Sequence, residues 1–92
     1  MIKSFGDKHT EAIFAGNCPR KLLGIRTVTE RKLTMIDAAP SLDFLRSPPG
    51  NRLEMLGGNR RGQYSIRIND QWRICFRWLE GDAFDVAVVD YH

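Results

Sequence analysis

The sequence predicts an α+β fold in which two N-terminal helices pack on one face of a mostly antiparallel sheet. In the first half of the chain, apolar residues recur at the spacing of amphipathic helices, and in the second half they alternate with polar residues as in strands. Short turns join the segments of the second half, and such connections place consecutive strands side by side. A chain of 92 residues is expected to form a single domain, 1–92, around one hydrophobic core.

Capping and helix-breaking residues delimit the helical half. We expect a short first strand over 2–5. Asp7 is a suitable N-cap for the helix that follows, because its carboxylate can accept hydrogen bonds from the free N–H groups of the first turn. Gly16 ends this helix. A second helix runs until Pro40, and Gly24 is a candidate point of interruption.

The second half contains the alternating patterns that are typical of strands. Strands are expected over 53–56, 63–68, 71–79 and 83–90. In the strand over 71–79, one face carries Trp72, Ile74, Phe76 and Trp78, and the other carries Gln71, Arg73, Cys75 and Arg77. In the last strand, one face is expected to carry Phe84, Val86 and Val88. Since side chains alternate across a strand, we expect one sheet face to be core and the other to be cationic.

Positive charge is concentrated in the strand-rich half. The whole chain has 14 basic and 11 acidic residues, a net charge of +3, whereas the segment from Arg46 to Arg77 alone carries +5. All basic residues of this segment are arginines, and a guanidinium can bind phosphate through two hydrogen bonds. The candidate RNA-binding residues are Arg52, Arg60, Arg61, Arg67, Arg73 and Arg77. The alternative is a solvated basic face, with Arg60 and Arg61 only keeping a turn soluble.

Several functional classes find no support in the sequence. Cys18 and Cys75 lack the paired spacing of a zinc site and the density of a disulfide scaffold, so both are expected to be reduced thiols. No apolar run approaches the roughly 20 residues of a membrane span, and the first residues lack the apolar stretch of a signal peptide. We therefore expect a cytoplasmic protein without a metal ion, a cofactor or a membrane partner.

Five segments of the chain resemble, in order, the HigB toxins of the RelE/ParE superfamily. They are Met1–Phe5, Pro49–Leu53, Gly62–Ile66, Asn69–Ile74 and Val89–His92. The resemblance implies a RelE-like fold and a bacterial type II toxin that enters the ribosomal A site and cuts messenger RNA during translation. It further implies inhibition by a helix-turn-helix, HigA-like antitoxin, through which the toxin would reach operator DNA indirectly.

The chemistry that the resemblance implies needs no metal ion. The RNA 2′-hydroxyl attacks the adjacent phosphorus, the 5′-oxygen leaves, and a 2′,3′-cyclic phosphate remains. The resemblance assigns Asp90, Tyr91 and His92 to the active site. A carboxylate and an imidazole can transfer protons, and a phenol can donate a hydrogen bond or stack on a base. Arg67 and Arg73 would hold the scissile phosphate and stabilise its developing charge.

The sequence departs from the pattern of some HigB toxins after the proline-glycine loop. Those toxins have a histidine and, shortly beyond it, a lysine where this chain has Glu54 and Gly57. The general base is therefore either Glu54 or one of the terminal residues Asp90 and His92. We expect a comparatively weak toxin.

Other hypotheses stay open on the sequence alone. A shared superfamily does not determine the target, so a ParE-like poison of DNA gyrase is one alternative, although the Asp-Tyr-His end argues against it. A non-catalytic partner of an antitoxin on operator DNA is another. His92 could be a solvated terminal residue and Asp90 an ion-pair partner. Cys75 could have a pKa lowered by Arg73 and Arg77 or be a buried, unreactive thiol.

Overall fold

The computed structural model describes residues 1–91, in which two α-helices precede a four-stranded antiparallel sheet. The helices are α1 (Lys8–Phe14) and α2 (Arg26–Ala38), and the strands are β1 (Glu54–Met55), β2 (Gln63–Arg67), β3 (Trp72–Leu79) and β4 (Asp82–Asp90). The strands follow one another across the sheet in the order β1-β2-β3-β4. The predicted α+β class is confirmed.

Both helices form where capping residues and glycines predict them. Asp7 is the N-cap of α1, and its Oδ1 accepts a hydrogen bond from the backbone N–H of Thr10 at 2.7 Å. The predicted second helix is divided into a 3₁₀ helix, Arg20–Ile25, and α2, so the interruption occurs beside Gly24. In the described part of the chain, no helix combines the length and the apolar character needed to cross a membrane.

The N-terminal segment lies along the outer edge of β4 without forming a regular strand. It makes two parallel bridges, from Ile2 to Ala83 and from Phe5 to Val86. Gly6 follows at a close approach, since a Cβ atom there would lie 3.1 Å from the Asp85 carbonyl oxygen. The expected first strand is therefore reduced to isolated pairing that covers the edge of the sheet.

Apolar residues of both helices and of three strands share one hydrophobic core. Its fully buried members include Ile13, Leu33, Ile36, Ile66, Ile74, Phe76 and Val86. Trp72 and Trp78 pack against this core while remaining partly exposed. The predicted alternation of β3, with its apolar residues in the core, is confirmed.

A β-bulge in β4 overturns one expectation from alternation. Ile74 of β3 pairs with Val88, but Arg77 pairs with Phe84, so β4 contains an extra residue between these positions. Asp85, with a φ of +54°, lies within this irregular stretch. Phe84 is therefore on the face of Arg77 and Val88 on the face of Ile74. The prediction that both share one face is wrong, because the bulge reverses the alternation.

Truncation of a core leucine tests this arrangement. Leu33 is fully buried, so Leu33→Ala is expected to lower the free energy of unfolding by about 2–5 kcal/mol in denaturant titrations. The matched control is Leu23→Ala, because Leu23 is 51% exposed. Equal losses for the two variants would contradict the assigned core.

Candidate active site

A cavity of about 280 Å³ opens at the end of the sheet where β2 leads into β3. Polar and charged side chains dominate its walls, and the lining residues are Arg52, Glu54, Arg67, Asn69, Asp70, Arg73 and Tyr91. Three guanidinium groups face two carboxylates, so the cavity keeps an excess of positive charge. Such a surface is suited to an anionic ligand.

Strand register explains why residues distant in sequence meet at this cavity. Arg67 of β2 is directly opposite Arg73 of β3, which in turn is opposite Val89 of β4. Residues opposite one another point to the same face and have Cβ atoms roughly 5 Å apart. Tyr91 follows two positions after Val89, and its backbone N–H donates to the Gln71 carbonyl at 2.6 Å. The three strand ends thus deliver their side chains to one place.

Arg73 is the most firmly held side chain of the cavity. Its Nε donates to Ser65 Oγ at 2.8 Å, and its Nη2 donates to the carbonyl oxygen of Arg52 at 2.7 Å. Arg52 has a left-handed backbone with a φ of +44°. Arg73 is only 8% exposed, so the expectation of an open arginine face is wrong here. Its Nη1 takes part in none of these hydrogen bonds.

Glu54 and Tyr91 also approach this guanidinium, at longer distances than its hydrogen-bond acceptors. Glu54 Oε1 lies 3.9 Å from Arg73 Nη2, and the Glu54 side chain is 55% exposed. The centre of the Tyr91 ring lies 6.0 Å from the guanidinium carbon of Arg73. A carboxylate, a guanidinium and an aromatic ring are therefore neighbours on the same cavity wall.

Two residues of the β2–β3 hairpin, Asn69 and Asp70, line the cavity, and neither is among the site residues predicted from the sequence. Arg67 Nη2 donates to Asp70 Oδ1, and the Asp70 carboxylate is fully exposed. Asn69 Oδ1 accepts the backbone N–H groups of Gln71 and Trp72, each at 2.8 Å, and so shapes the turn. Their position between two arginine-bearing strands was the signal that could have identified them.

Three of the predicted RNA-binding arginines lie away from the cavity. Arg77 is four positions along β3 from Arg73, about 13 Å at the usual rise of a strand. It pairs with Asp85 at 3.3 Å. Arg60 Nη1 donates to Gln63 Oε1 at 3.3 Å, and Arg61 is exposed beside it. Contacts of these residues with RNA stay a prediction.

Among the predicted C-terminal residues Asp90, Tyr91 and His92, strand alternation separates the side chains of Asp90 and Tyr91. Of the two members that the structure describes, Tyr91 lines the cavity and Asp90 does not. Asp90 is paired with Trp72, on the side of the sheet opposite to Arg73, and its Oδ2 accepts from Gln71 Nε2 at 3.2 Å. The resemblance assigns Asp90 and Tyr91 to one active site, but the strand register places their side chains on different faces of the sheet. His92 lies outside the described residues.

Cys75 is buried on the same sheet face as Arg73. Burial raises the pKa of the Cys75 thiol, because the thiolate loses its hydration, and the nearby charges of Arg60 and Arg73 act in the opposite direction. Desolvation is the larger effect. The net pKa is therefore raised, so the hypothesis of a lowered pKa is wrong, and the alternative of a buried thiol holds.

A buried lysine beside the cavity was missed by the sequence analysis. Lys32 of α2 is only 7% exposed, and its Nζ donates to Asn51 Oδ1 at 2.8 Å and to the Arg67 carbonyl oxygen at 2.7 Å. Burial lowers the pKa of Lys32, and nearby arginine charges act in the same direction. A signal existed, since Lys32 shares the helical stripe of the core residues Leu33 and Ile36.

Comparison with known proteins identifies the family. The family model that describes the RelE-like toxin of the type II toxin-antitoxin system HigB matches residues 3–92. The chain belongs to the HigB-like toxin family. Toxin HigB-1 from Vibrio cholerae is 40% identical over 94 residues, which span 100% of this chain and 98% of that protein. Endoribonuclease HigB from Proteus vulgaris is 32% identical over 94 residues, with 100% of both chains covered.

Solved structures share the fold of this HigB-like chain at low sequence identity. The YoeB-YefM complex from Staphylococcus aureus has a TM-score of 0.61 and 21% identity, covering 100% of this chain and 98% of the matched one. A YafQ variant from E. coli has a TM-score of 0.62 and 8% identity, covering 98% and 93%. These two likenesses show a common fold.

Replacing Arg73 by lysine tests how the cavity wall is held. Arg73→Lys keeps the charge but cannot reproduce both hydrogen bonds, so the free energy of unfolding is expected to fall by about 1–3 kcal/mol. Arg77→Lys on the same strand is the control, because the exposed pair with Asp85 can survive the change. Denaturant titrations that give equal, small effects would contradict the structural role of Arg73.

Cysteine labelling tests the burial of Cys75. In the folded chain, iodoacetamide is expected to alkylate Cys18 first and Cys75 only on unfolding, as followed by mass spectrometry.

Because the pKa of Cys75 is raised on folding, the unfolded chain ionises at lower pH, and stability should decrease as pH rises above the unfolded thiol's pKa. Cys75→Ala should abolish this decrease of stability with rising pH. In the labelling experiment, rapid alkylation of Cys75 in the native chain would refute its assignment as a buried thiol.

Proposed function

We propose that this chain is a ribosome-dependent endoribonuclease that cleaves messenger RNA in the A site as the toxin of a type II toxin-antitoxin pair. Membership of the HigB-like family supports this proposal, as does the name of the Proteus vulgaris relative, Endoribonuclease HigB. The proposed substrate places the toxin in the cytoplasm. A HigA-like helix-turn-helix antitoxin is the proposed inhibitor and the proposed link to operator DNA.

The fixed guanidinium of Arg73 is the observation that carries the proposal. A buried, hydrogen-bonded guanidinium needs little reorganisation when negative charge develops on a phosphate, and such preorganised groups lower reaction barriers. Arg67, directly opposite, supplies a second charge at the same phosphate. Tyr91 offers an aromatic surface on which an adjacent base can stack.

Proton transfers complete the proposed reaction. Glu54, exposed and 3.9 Å from Arg73, removes the proton of the RNA 2′-hydroxyl as that oxygen attacks the phosphorus. The bond from phosphorus to the 5′-oxygen breaks, and that oxygen takes a proton from a general acid, for which Tyr91, Asp90 and His92 are the candidates. The products are a 2′,3′-cyclic phosphate and a 5′-hydroxyl. The arginines neutralise the charge on phosphate, so no metal ion is required by this mechanism.

The proposed arrangement uses the sheet as the boundary between core and substrate. The 92 residues act as one domain, with the helices covering the core face and the opposite face left to RNA. Arg52 lines the cavity and contacts the phosphate next to the cleaved one. RNA further away is contacted by the exposed residues Arg61 and Arg77 and by the half-buried Arg60, so their loss weakens binding more than chemistry.

Cleavage on programmed ribosomes tests the function directly. The purified chain is incubated with ribosomes that carry a defined message, and fragment ends are mapped. New 5′-hydroxyl ends within the A-site codon are expected. Intact message would refute the proposal, and if it were accompanied by gyrase-linked DNA breaks it would favour a gyrase poison.

Replacing Asp90, Tyr91 and His92 together by alanine tests catalysis against binding. Growth arrest on expression should disappear if these residues contribute to cleavage. The control replaces the exposed residues Lys8 and Glu11 of α1 by alanine, and arrest should persist. Persistent arrest in the triple variant would favour a non-catalytic partner of the antitoxin.

The Glu54→Gln variant tests the identity of the general base. The amide keeps the size of the side chain but cannot accept the proton, so kcat on programmed ribosomes is expected to fall by about 10²- to 10⁴-fold with little change in KM. Glu11→Gln, exposed on α1, is the matched control. Full activity of Glu54→Gln would move the base to one of the C-terminal residues.

A further inference from the structure

A buried ammonium group joins the backbone segments that carry the cavity arginines. Lys32 does not line the cavity, but it contacts two segments that do. Lysine is rarely buried unless its charge is compensated by hydrogen bonds, because removing an ammonium group from water is costly. The position of such a group in α2 therefore requires an explanation beyond packing.

The first contact fixes the end of β2. Lys32 Nζ donates to the carbonyl oxygen of Arg67 at 2.7 Å. Arg67 is the last residue of β2, and its side chain lines the cavity opposite Arg73. The ammonium group thus holds the backbone from which one phosphate-binding guanidinium projects.

The second contact fixes the loop before β1. Lys32 Nζ donates to Asn51 Oδ1 at 2.8 Å, and Asn51 Nδ2 donates to the Leu45 carbonyl at 3.1 Å. Asn51 is almost completely buried at 1% exposure. Its neighbour Arg52 provides the carbonyl oxygen that accepts from Arg73 Nη2 at 2.7 Å. The chain of contacts therefore runs from the lysine to the central guanidinium of the cavity.

We infer that Lys32 is a positioning residue for RNA cleavage, which fixes the Arg67 carbonyl and the Asn51–Arg52 loop and thereby orients the guanidinium of Arg73. This inference rests on the proposed function. An apolar residue at this position could fill the space, but both acceptors would lose the donor that Lys32 supplies. A lysine suits this buried position because a single ammonium group can donate hydrogen bonds to both acceptors at once.

Cleavage kinetics of Lys32→Met test the inference. Methionine has a similar length and no donor, and Arg31→Met, an exposed position in the same helical turn, removes the same charge. For Lys32→Met, kcat per folded molecule on programmed ribosomes is expected to fall by about 10- to 100-fold, since small displacements of catalytic groups have effects of this size. KM should change little, because the cavity keeps its arginines. Arg31→Met should cleave like the unmodified chain.

A second variant and a spectroscopic signal separate positioning from general stability. Lys32→Gln retains a hydrogen-bond donor on a shorter side chain. This variant replaces Lys32→Met in the experiment if Lys32→Met does not fold, and its loss of kcat is expected to be intermediate. The Nε–H resonance of Arg73, protected by Ser65, should broaden or exchange faster in folded variants of Lys32 and not in Arg31→Met. Folded Lys32 variants with unchanged kcat or an unchanged Arg73 resonance would overturn the inference.

A measurement on the unmodified chain covers the case in which neither variant folds. The Lys32 ammonium resonance should shift when a dinucleotide with a 2′-O-methyl group, which cannot be cleaved, shifts the Arg73 resonance. Movement of Arg73 without any movement of Lys32 would contradict the inference alone. Failure of the unmodified chain to cut message on ribosomes would instead contradict the proposed function.

Discussion

The register of β3 between its two neighbours is the constraint on which the rest of the structure depends. Ile74 and Phe76 are fully buried in the core that both helices share, while Arg73 and Cys75 occupy the other face. A slip of one residue would exchange these faces and carry a guanidinium into the apolar core. Burial of β3 therefore sets the positions of the site residues as well as the stability of the sheet.

The same register brings two positive charges together at the cavity. Arg67 and Arg73 are directly opposite, an arrangement that destabilises a sheet unless the charges have partners. Asp70 accepts from Arg67, and the Ser65 hydroxyl and the Arg52 carbonyl accept from Arg73. Glu54 also lies 3.9 Å from Arg73, but the cavity is lined by three guanidinium groups and only two carboxylates, so one positive charge is left without an anion. In the proposed function, the RNA phosphate supplies the missing anion, so the cost of bringing the arginines together favours substrate binding.

Simple alternation failed in β4, and in β3 it predicted the face of the polar residues but not their burial; each result has a physical cause. The bulge around Asp85 adds one residue to β4 and separates Phe84 from Val88, which a strict period of two would place together. Arg73 and Cys75 do lie on the predicted face, yet both are buried. Polarity of side chains predicted the face, but the acceptors for Arg73 come from other segments of the chain. Their presence allows a guanidinium to be buried, and periodicity alone contains no information on them.

Local sequence was enough to predict the order of the two helices and of the four sheet strands, the N-cap at Asp7 and, through motifs spread along the chain, the family. These features depend on local backbone preferences, periodicity and residue identity. Only the tertiary structure decided that Tyr91 joins Glu54 while Asp90 lies on the other side of the sheet. It also decided that Lys32 is buried. These features depend on strand register and on water exclusion by segments distant in sequence. The helical stripe of Leu33 and Ile36 points to Lys32, but the contacts that bury its ammonium group come from Asn51 and Arg67.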